Sequence, residues 1–308
     1  MEFYKRIVKK RSSRIKILRK LSFLPDSVMI RLQYFIKMGF PLSLKKPRRF
    51  TEKLQWYKLY YKNPLMVKCV DKGDVRDFVK EKGLENILVP CYGVFDNPDS
   101  ISWENLPQKF VMKDTLGGGG TKVVLVEDKL SELERLKRLA KYWTVPVSHN
   151  YGGREWPYYC GKKHRVIIEE RLDSENPLRG INDYKFFCFN GKVEFLYVMG
   201  NRALGKSVCV SIYDRYFNKL PVLRKGDEEL KNAEKPECFD EMLAYAEKLS
   251  EDFPHVRVDL YNIQGKIYFG EMTFFNASGY MKYDPDSFDL EIGQKWQLPL
   301  KQSFSIGK

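Results

Sequence analysis

VRVDLYNIQGKIYFGEMT, residues 256–273, decides how the rest of the chain is read. Both halves are rich in β-branched and aromatic residues and are joined by a glycine-containing turn, the pattern of a β-hairpin. A three-residue loop, Ile263-Gln264-Gly265, would pair Asn262 with Lys266 and set odd-numbered residues opposite odd-numbered ones. Arg257, Asp259, Glu271 and Thr273 then share one face, and Val256, Val258, Leu260 and Met272 share the other. Two carboxylates converging from neighbouring strands form a hard-oxygen site of the kind that suits Mg²⁺. A solvated face with an Arg–Glu cross-strand pair is the ordinary alternative.

A second hairpin lies upstream in DYKFFCFNGKVEFLYVMGNR, residues 183–202, where Asn190-Gly191 marks a two-residue turn. Asp183 and Lys185 are two apart and share a strand face. That turn places the even-numbered residues of the return strand on the face of Lys185 and, if pairing continues, Arg202 with them. A Lys and an Arg on one sheet face suit phosphate or a charged intermediate, and an ordinary solvent face is the alternative.

Lys113 ends the strand-like segment KFVMK (109–113), and Gly117, Gly118, Gly119 and Gly120 follow before TKVVLVE (121–127). Glycine backbone can approach phosphate oxygens closely, and the lysine upstream adds charge; a flexible turn with a surface lysine reads the same way. HRVIIEERL (164–172) is a strand running into Glu169 and Glu170, either a nucleotide-holding hinge or a solvated strand end. The chain has no G-x-x-x-x-G-K-[ST], no G-x-G-x-x-G at a strand-to-helix turn and no G-x-S-x-G. Helices are expected over 70–84, closed by Gly83, and over 129–143 and 237–253; NILVP (86–90) reads as a strand. Mixed strands, hairpins and helices argue for an α+β fold.

The chain's 308 residues suffice for about two domains. Its net charge of +14 is uneven: residues 1–50 hold 15 Lys or Arg against Glu2 and Asp26, a net +13, and the remainder carries +1. The body is therefore neutral, and no nucleic-acid role is expected. Ile17, Leu18, Leu21 and Leu24, then Val28, Met29, Leu32, Phe35 and Ile36, recur at helical spacing, broken by Pro25 with Asp26 as N-cap. These stripes are expected to pack on the body while the basic face rests on an anionic membrane surface. No apolar run reaches the roughly 20 residues of a membrane span and no secretory core is seen, so the expected location is the cytoplasm, peripheral at the inner face of the plasma membrane. Six scattered cysteines read as reduced thiols, and three histidines form no zinc pattern.

Taken in order, these segments resemble the ATP-grasp superfamily. The match is closest to its TupA-like branch, named for teichuronopeptide biosynthesis, through RRFTEKLQWYKLYYKNP (48–64), DYKFFCFNGK (183–192) and RVDLYNIQGKIYFGEMTF (257–274). The resemblance implies two α+β subdomains gripping ATP, with a basic helical extension over 1–66, a subdomain with the glycine-rich loop over 67–170 and a C-terminal subdomain with the metal hairpin over 171–308. It implies Lys72, Lys113 and Gly117 to Gly120 as phosphate ligands. Glu169, Glu170 and Leu172 fall at the adenine hinge, and Glu175 and Asp183 complete the nucleotide site. Asp259, Glu271 and Thr273 would hold Mg²⁺, expected as two ions, with Thr273 standing where the superfamily usually has Asn and Asn276 as the fallback. Arg257, Lys185 and Arg202 would be catalytic. The implied activity joins a carboxylate to an amine, on glycan-linked substrates, in cell-envelope or capsular polysaccharide synthesis. The alternatives are a non-catalytic nucleotide-binding component of a glycan assembly system and a glycosyltransferase.

Overall fold

The computed structural model describes residues 16–301 apart from 19, 119–121, 146–152, 159, 161, 175–179, 202–207 and 232. Helices α1 (Asp26–Met38), α2 (Phe50–Tyr60), α3 (Pro64–Cys69) and α4 (Val75–Glu81) lead. Strands β1 (Cys91–Phe95), β2 (Phe110–Asp114) and β3 (Val123–Val126), helix α5 (Lys129–Trp143) and strand β4 (Val166–Glu169) follow. Next come β5 (Asp183–Phe189), β6 (Lys192–Gly200), β7 (Cys209–Asp214), β8 (Leu223–Arg224) and β9 (Glu228–Glu229). The chain closes with α6 (Phe239–Ser250), β10 (His255–Ile263), β11 (Lys266–Thr273), β12 (Tyr283–Asp284) and α7 (Ser287–Lys295). One sheet has the order β1-β4-β2-β3; the larger runs β11-β10-β5-β6-β7-β9 and is antiparallel except for the short β9. The α+β class is as expected.

Both hairpins owe their final register to a bulge. The β10–β11 turn is the two-residue Gln264-Gly265, with φ of 53° and 77°, and it pairs Ile263 with Lys266. It replaces the expected three-residue loop and by itself sets odd against even, as in Leu260 opposite Phe269. Gly270 is then left unpaired, and beyond it Asp259 faces Glu271 and Arg257 faces Thr273. The expected face survives because the bulge supplies the residue that the shorter turn removes. A Cβ at Gly270 would lie 3.0 Å from the Asp259 carbonyl oxygen and 3.1 Å from the Tyr261 ring, so a side chain there would press on the site strand.

The β5–β6 turn is Asn190-Gly191, as expected, but a bulge between Phe187 and Cys188 shifts the pairing so that Lys185 faces Tyr197. This corrects the expected register. Odd-numbered residues of β6 share the face of Lys185, so the argument that carried Arg202 to it fails; Arg202 itself lies outside the described residues. Two local expectations also change. Residues 70–74 form a turn in which the Asp71 carboxylate accepts from the amides of Gly73 and Asp74, so the helix starts only at Val75. The strand expected at 86–90 gives way to a 3₁₀ turn at Glu85–Ile87 and begins at Cys91.

The two sheets have separate cores. Phe110, Met112, Val124, Val126, Val166 and Ile168 of the small sheet pack on Leu136, Ala140 and Trp143 of α5. The large sheet shares its core with α1 to α4. Its even-numbered β5 residues meet α6, where Phe186 packs on Phe239. On the other face Phe50, Tyr57, Phe189, His255 and Trp296 form an aromatic cluster, with the His255 and Trp296 ring centroids 4.8 Å apart. α7 crosses the start of α2 here, and its Asp289 accepts from the Thr51 amide at 3.0 Å and hydroxyl at 2.7 Å.

Two consequences are measurable. In an open helix Gly→Ala stabilises by about 1 kcal/mol, but a Cβ at Gly293 would lie 2.2 Å from the Arg48 carbonyl oxygen. Gly293→Ala is expected to destabilise by about 1–3 kcal/mol, read as a lower urea midpoint; a raised midpoint would disprove the close crossing. Burial, and to a smaller extent Arg257, pushes the His255 imidazole down to about 3. The unfolded chain then binds a proton below its ordinary value near 6.5 that the folded chain refuses. Stability is full above that value and falls as pH drops towards 3, by about 1.4 kcal/mol per unit from this residue. His255→Asn, which can still donate to the Cys188 carbonyl, should flatten that slope in urea titrations run at several pH values.

Candidate active site

Register places a row of charge across three strands of the large sheet. Lys185 on β5 faces Asp259 on β10, and Asp259 faces Glu271 on β11. Asp183 and Arg257 flank the row from the same face. The Arg257 guanidinium is buried and spends its donors on four partners. Nε donates to Asp259 Oδ1 at 2.6 Å, and Nη2 reaches Asp259 Oδ2 at 2.7 Å, Thr273 Oγ1 at 3.0 Å and Glu271 Oε1 at 3.1 Å. Nη1 donates to Asn276 Oδ1. Lys185 Nζ bridges Asp183 Oδ2 at 2.6 Å and Asp259 Oδ2.

The two facing acids differ. Asp259 is buried with both carboxylate oxygens on cations; burial pushes its carboxyl upward against the pull of Arg257 and Lys185. Glu271 keeps 38% of its side chain exposed. Burial would raise it too, but Lys72, Arg257 and Lys185 outweigh that and hold it at about 2, so it is ionised at any physiological pH.

Lys72 connects this row to the small sheet. Its Nζ donates to the Gly117 carbonyl at 2.6 Å and lies 4.0 Å from Glu271 Oε2, while its amide donates to the Thr115 carbonyl. Asp71, fully buried, holds the turn beneath it and pairs with Arg165 Nη2 at 2.7 Å. Gly117 lies at the start of the glycine stretch, where a Cβ would sit 3.0 Å from that of Lys122; around Gly118 there is open space. Gly119, Gly120 and Glu175 lie outside the described residues.

Lys113 and Glu169 also meet, through Lys113 Nζ and Glu169 Oε2 at 2.7 Å, and Arg76 Nη1 holds the other carboxylate oxygen at 3.1 Å. Glu170 is exposed, and its amide donates to the Pro90 carbonyl. Leu172 is half-buried beyond it. The structure thus gathers Lys72, Gly117, Lys185, Asp183, Arg257, Asp259, Glu271, Thr273 and Asn276 at one place, and Lys113 with Glu169 at another on the small sheet.

Sequence reasoning missed three contributors. Arg76 follows Lys72 by four residues in VDKGDVR, a spacing that could have signalled it. Gln55 and Lys58 on α2 gave no such signal. Gln55 Nε2 donates to the carbonyls of Ser278 and Gly279 at 2.9 Å, and Lys58 Nζ donates to that of Ser278 at 3.1 Å. They hold a loop in which Ala277, Ser278 and Gly279 all have positive φ. Burial pushes the Lys58 ammonium down to about 8.

The donor set gathered here is all oxygen, from Asp259, Glu271, Thr273 and Asn276. No cluster of three or more His, Cys, Asp and Glu fit to hold a metal occurs among the described residues. A magnesium ion fits such a set, because it binds one or two carboxylates and takes its other ligands from water and substrate phosphate. Glu271 is the open donor. Asn276 Nδ2 is buried without a hydrogen-bond partner, a donor that an anionic oxygen would satisfy.

Residues 52–297 match the family described as TupA-like ATPgrasp. Among solved structures, D-alanine–D-alanine ligase from Helicobacter pylori matches at 18% identity and a TM-score of 0.44, over 75% of this chain and 61% of that one. N5-carboxyaminoimidazole ribonucleotide synthetase from Thermus thermophilus matches at 15% and 0.41, over 70% and 48%. The ATP-grasp ligase PsnB, complexed with a phosphomimetic variant of its minimal precursor, Mg and ADP, matches at 12% and 0.40, over 73% and 57%. The chain spans about half to three fifths of the length of these structures. No curated protein matches. With most of its length matched to one family and the two-sheet α+β fold in place, the chain belongs to the TupA-like ATP-grasp family.

Proposed function

We propose that the protein is an ATP-dependent, ADP-forming carboxylate–amine ligase that works through an acylphosphate. Its substrates would be a uronic acid or related carboxylate and an amino acid or amine, glycan-linked, in cell-envelope or capsular polysaccharide synthesis. The observation that carries this reading is the position of Lys72 Nζ, 2.6 Å from the Gly117 carbonyl and 4.0 Å from Glu271. One cation lies between a glycine stretch able to cradle phosphates and an acid row able to hold their metal.

In this reading Lys72, Lys113 and the glycine stretch bind the phosphates of ATP, and Glu169, Glu170, Leu172 and Glu175 border its base and ribose. Mg²⁺, expected as two ions on Asp259, Glu271 and Thr273, would screen the β- and γ-phosphates. The substrate carboxylate takes the γ-phosphoryl group and ADP leaves; the amine then displaces phosphate through a tetrahedral intermediate. Arg257, whose donors already orient both acids, would stabilise the developing oxyanion through its charge, and Lys185 would hold the phosphate or acyl group, with Arg202 carried only by the family resemblance. The resting charges of Asp183, Asp259 and Glu271 against Lys72, Lys185 and Arg257 sum to zero, so the incoming anion and its metal enter a balanced site.

Glu271→Gln is the clean test, because the residue is half-exposed: the protein should stay folded and lose ATP turnover by about 100-fold or more. Asp259→Asn should lose turnover and also cost about 3 kcal/mol, since it takes from the buried Lys185 and Arg257 the acid they share. Product analysis should show ADP and phosphate; AMP and pyrophosphate would rule out the acylphosphate route. Loss of an amide-linked amino acid from the surface polysaccharide of a strain lacking this gene, read by mass spectrometry, is the expected outcome for the substrate class.

A further inference from the structure

Of the five periodic apolar residues of α1 expected to pack inward, Val28, Met29, Leu32, Phe35 and Ile36, three do not. Met29, Ile30, Tyr34 and Met38 are buried, whereas Val28, Leu32 and Phe35 are 47%, 43% and 56% exposed. The exposed three recur at i, i+4 and i+7 on the side of the helix opposite the buried set. Phe23, just before the helix, is 77% exposed, and Ile17 is exposed as well. A helix apolar on both sides has a second partner to meet beyond the core it already covers.

The surroundings of this stripe name the partner. Arg31 is exposed on α1 itself and Lys16 and Lys20 are exposed in the segment before it, and in the sequence residues 1–50 carry a net +13 against +1 for the rest of the chain. An exposed apolar stripe in a strongly cationic stretch of chain suits an interface of acyl chains and anionic headgroups, in which neither the stripe nor the charge is wasted. A span is ruled out for the described residues, since no helix is long and apolar enough to cross a membrane.

We propose that the outer face of α1, with Phe23, Val28, Leu32 and Phe35 as its inserted residues, docks on an anionic lipid surface. The face is mechanically tied to the candidate active site. Tyr280 donates its hydroxyl to Gln33 Oε1 on α1 at 2.8 Å, and Lys37 lies 3.9 Å over the Tyr280 ring. Tyr280 follows the loop whose Asn276 meets Arg257. Arg154 anchors the other end of the helix through Asp26 at 2.7 Å, and its neighbour Glu155 accepts from Ser278 in the same loop. Docking through α1 therefore loads the helix that braces the loop carrying Asn276.

The test uses the full chain and co-sedimentation with phosphatidylcholine vesicles, with and without phosphatidylglycerol. Wild type should bind the anionic vesicles and not the neutral ones. Leu32→Gln with Phe35→Gln, which keeps every charge and a helix-favouring residue at both sites, should weaken that binding by about tenfold or more while its circular dichroism and ATP turnover stay those of wild type. Three results overturn the proposal: no vesicle binding by wild type, equal binding by wild type and variant, or concentration-dependent self-association that the double substitution abolishes, which would make the occupant a second copy of this chain.

Discussion

The Arg257 guanidinium is the constraint on which the candidate site rests. It sits on β10, beside the edge strand β11, buried, and reaches Asp259, Glu271, Thr273 and Asn276. Two carboxylates on facing positions of adjacent strands repel when unpartnered, and burial adds a desolvation cost to each. The planar fork of one arginine offers enough donors to hold both acids and the two neutral oxygens in fixed orientation. Remove it and the row of Lys185, Asp259 and Glu271 has one buried cation fewer than acids. The strand pairing, the bulge at Gly270 and the loop at Asn276 all present their oxygens to this one group.

Much of this was legible in the sequence, for physical reasons that differ by element. Period-two alternation puts Arg257 with Asp259, and Glu271 with Thr273, whatever the register, whereas bringing the two pairs to one face needed the turn length as well. Asn190-Gly191 gave the β5–β6 turn, because few dipeptides tolerate two left-handed residues in succession. The bulge at Gly270 had a mark that sequence reasoning missed, an isolated glycine inside a strand pattern; the one in β5–β6 falls at Glu194 and had none. In β10–β11 the bulge cancelled a misjudged loop length and left the face right. In β5–β6 it moved every residue beyond Phe187 to the other register, and the reasoning about Arg202 failed with it.

The fold's other surprises come from contacts distant in sequence. Glu169 read as a nucleotide-holding hinge or a solvated strand end, and its carboxylate is held between Lys113 and Arg76, 56 and 93 residues away. Gln55 and Lys58 lie in the expected helical N-terminal region with nothing to single them out, yet they donate to a loop 220 or more residues on. Helical spacing told that α1 carries apolar residues but not which set faces the core, because both sides of that helix are apolar. Periodicity reports that a face exists; only the packed structure says what covers it.

Lys72 is where the two sheets bear on one another chemically. Its ammonium is shared between a carbonyl of the glycine stretch on the small sheet and Glu271 on the large one. Its backbone is fixed independently, by the Thr115 carbonyl and by the Asp71 turn that Arg165 clamps to the start of β4. The charge is thus positioned by main chain and buried acid, while its own terminal contacts are a neutral carbonyl and a carboxylate at 4.0 Å, both exchangeable. An anion arriving between the sheets meets a cation already in place and displaces only weak partners, and the acid it uncovers is the half-exposed Glu271, the one carboxylate of the row with room to accept a metal.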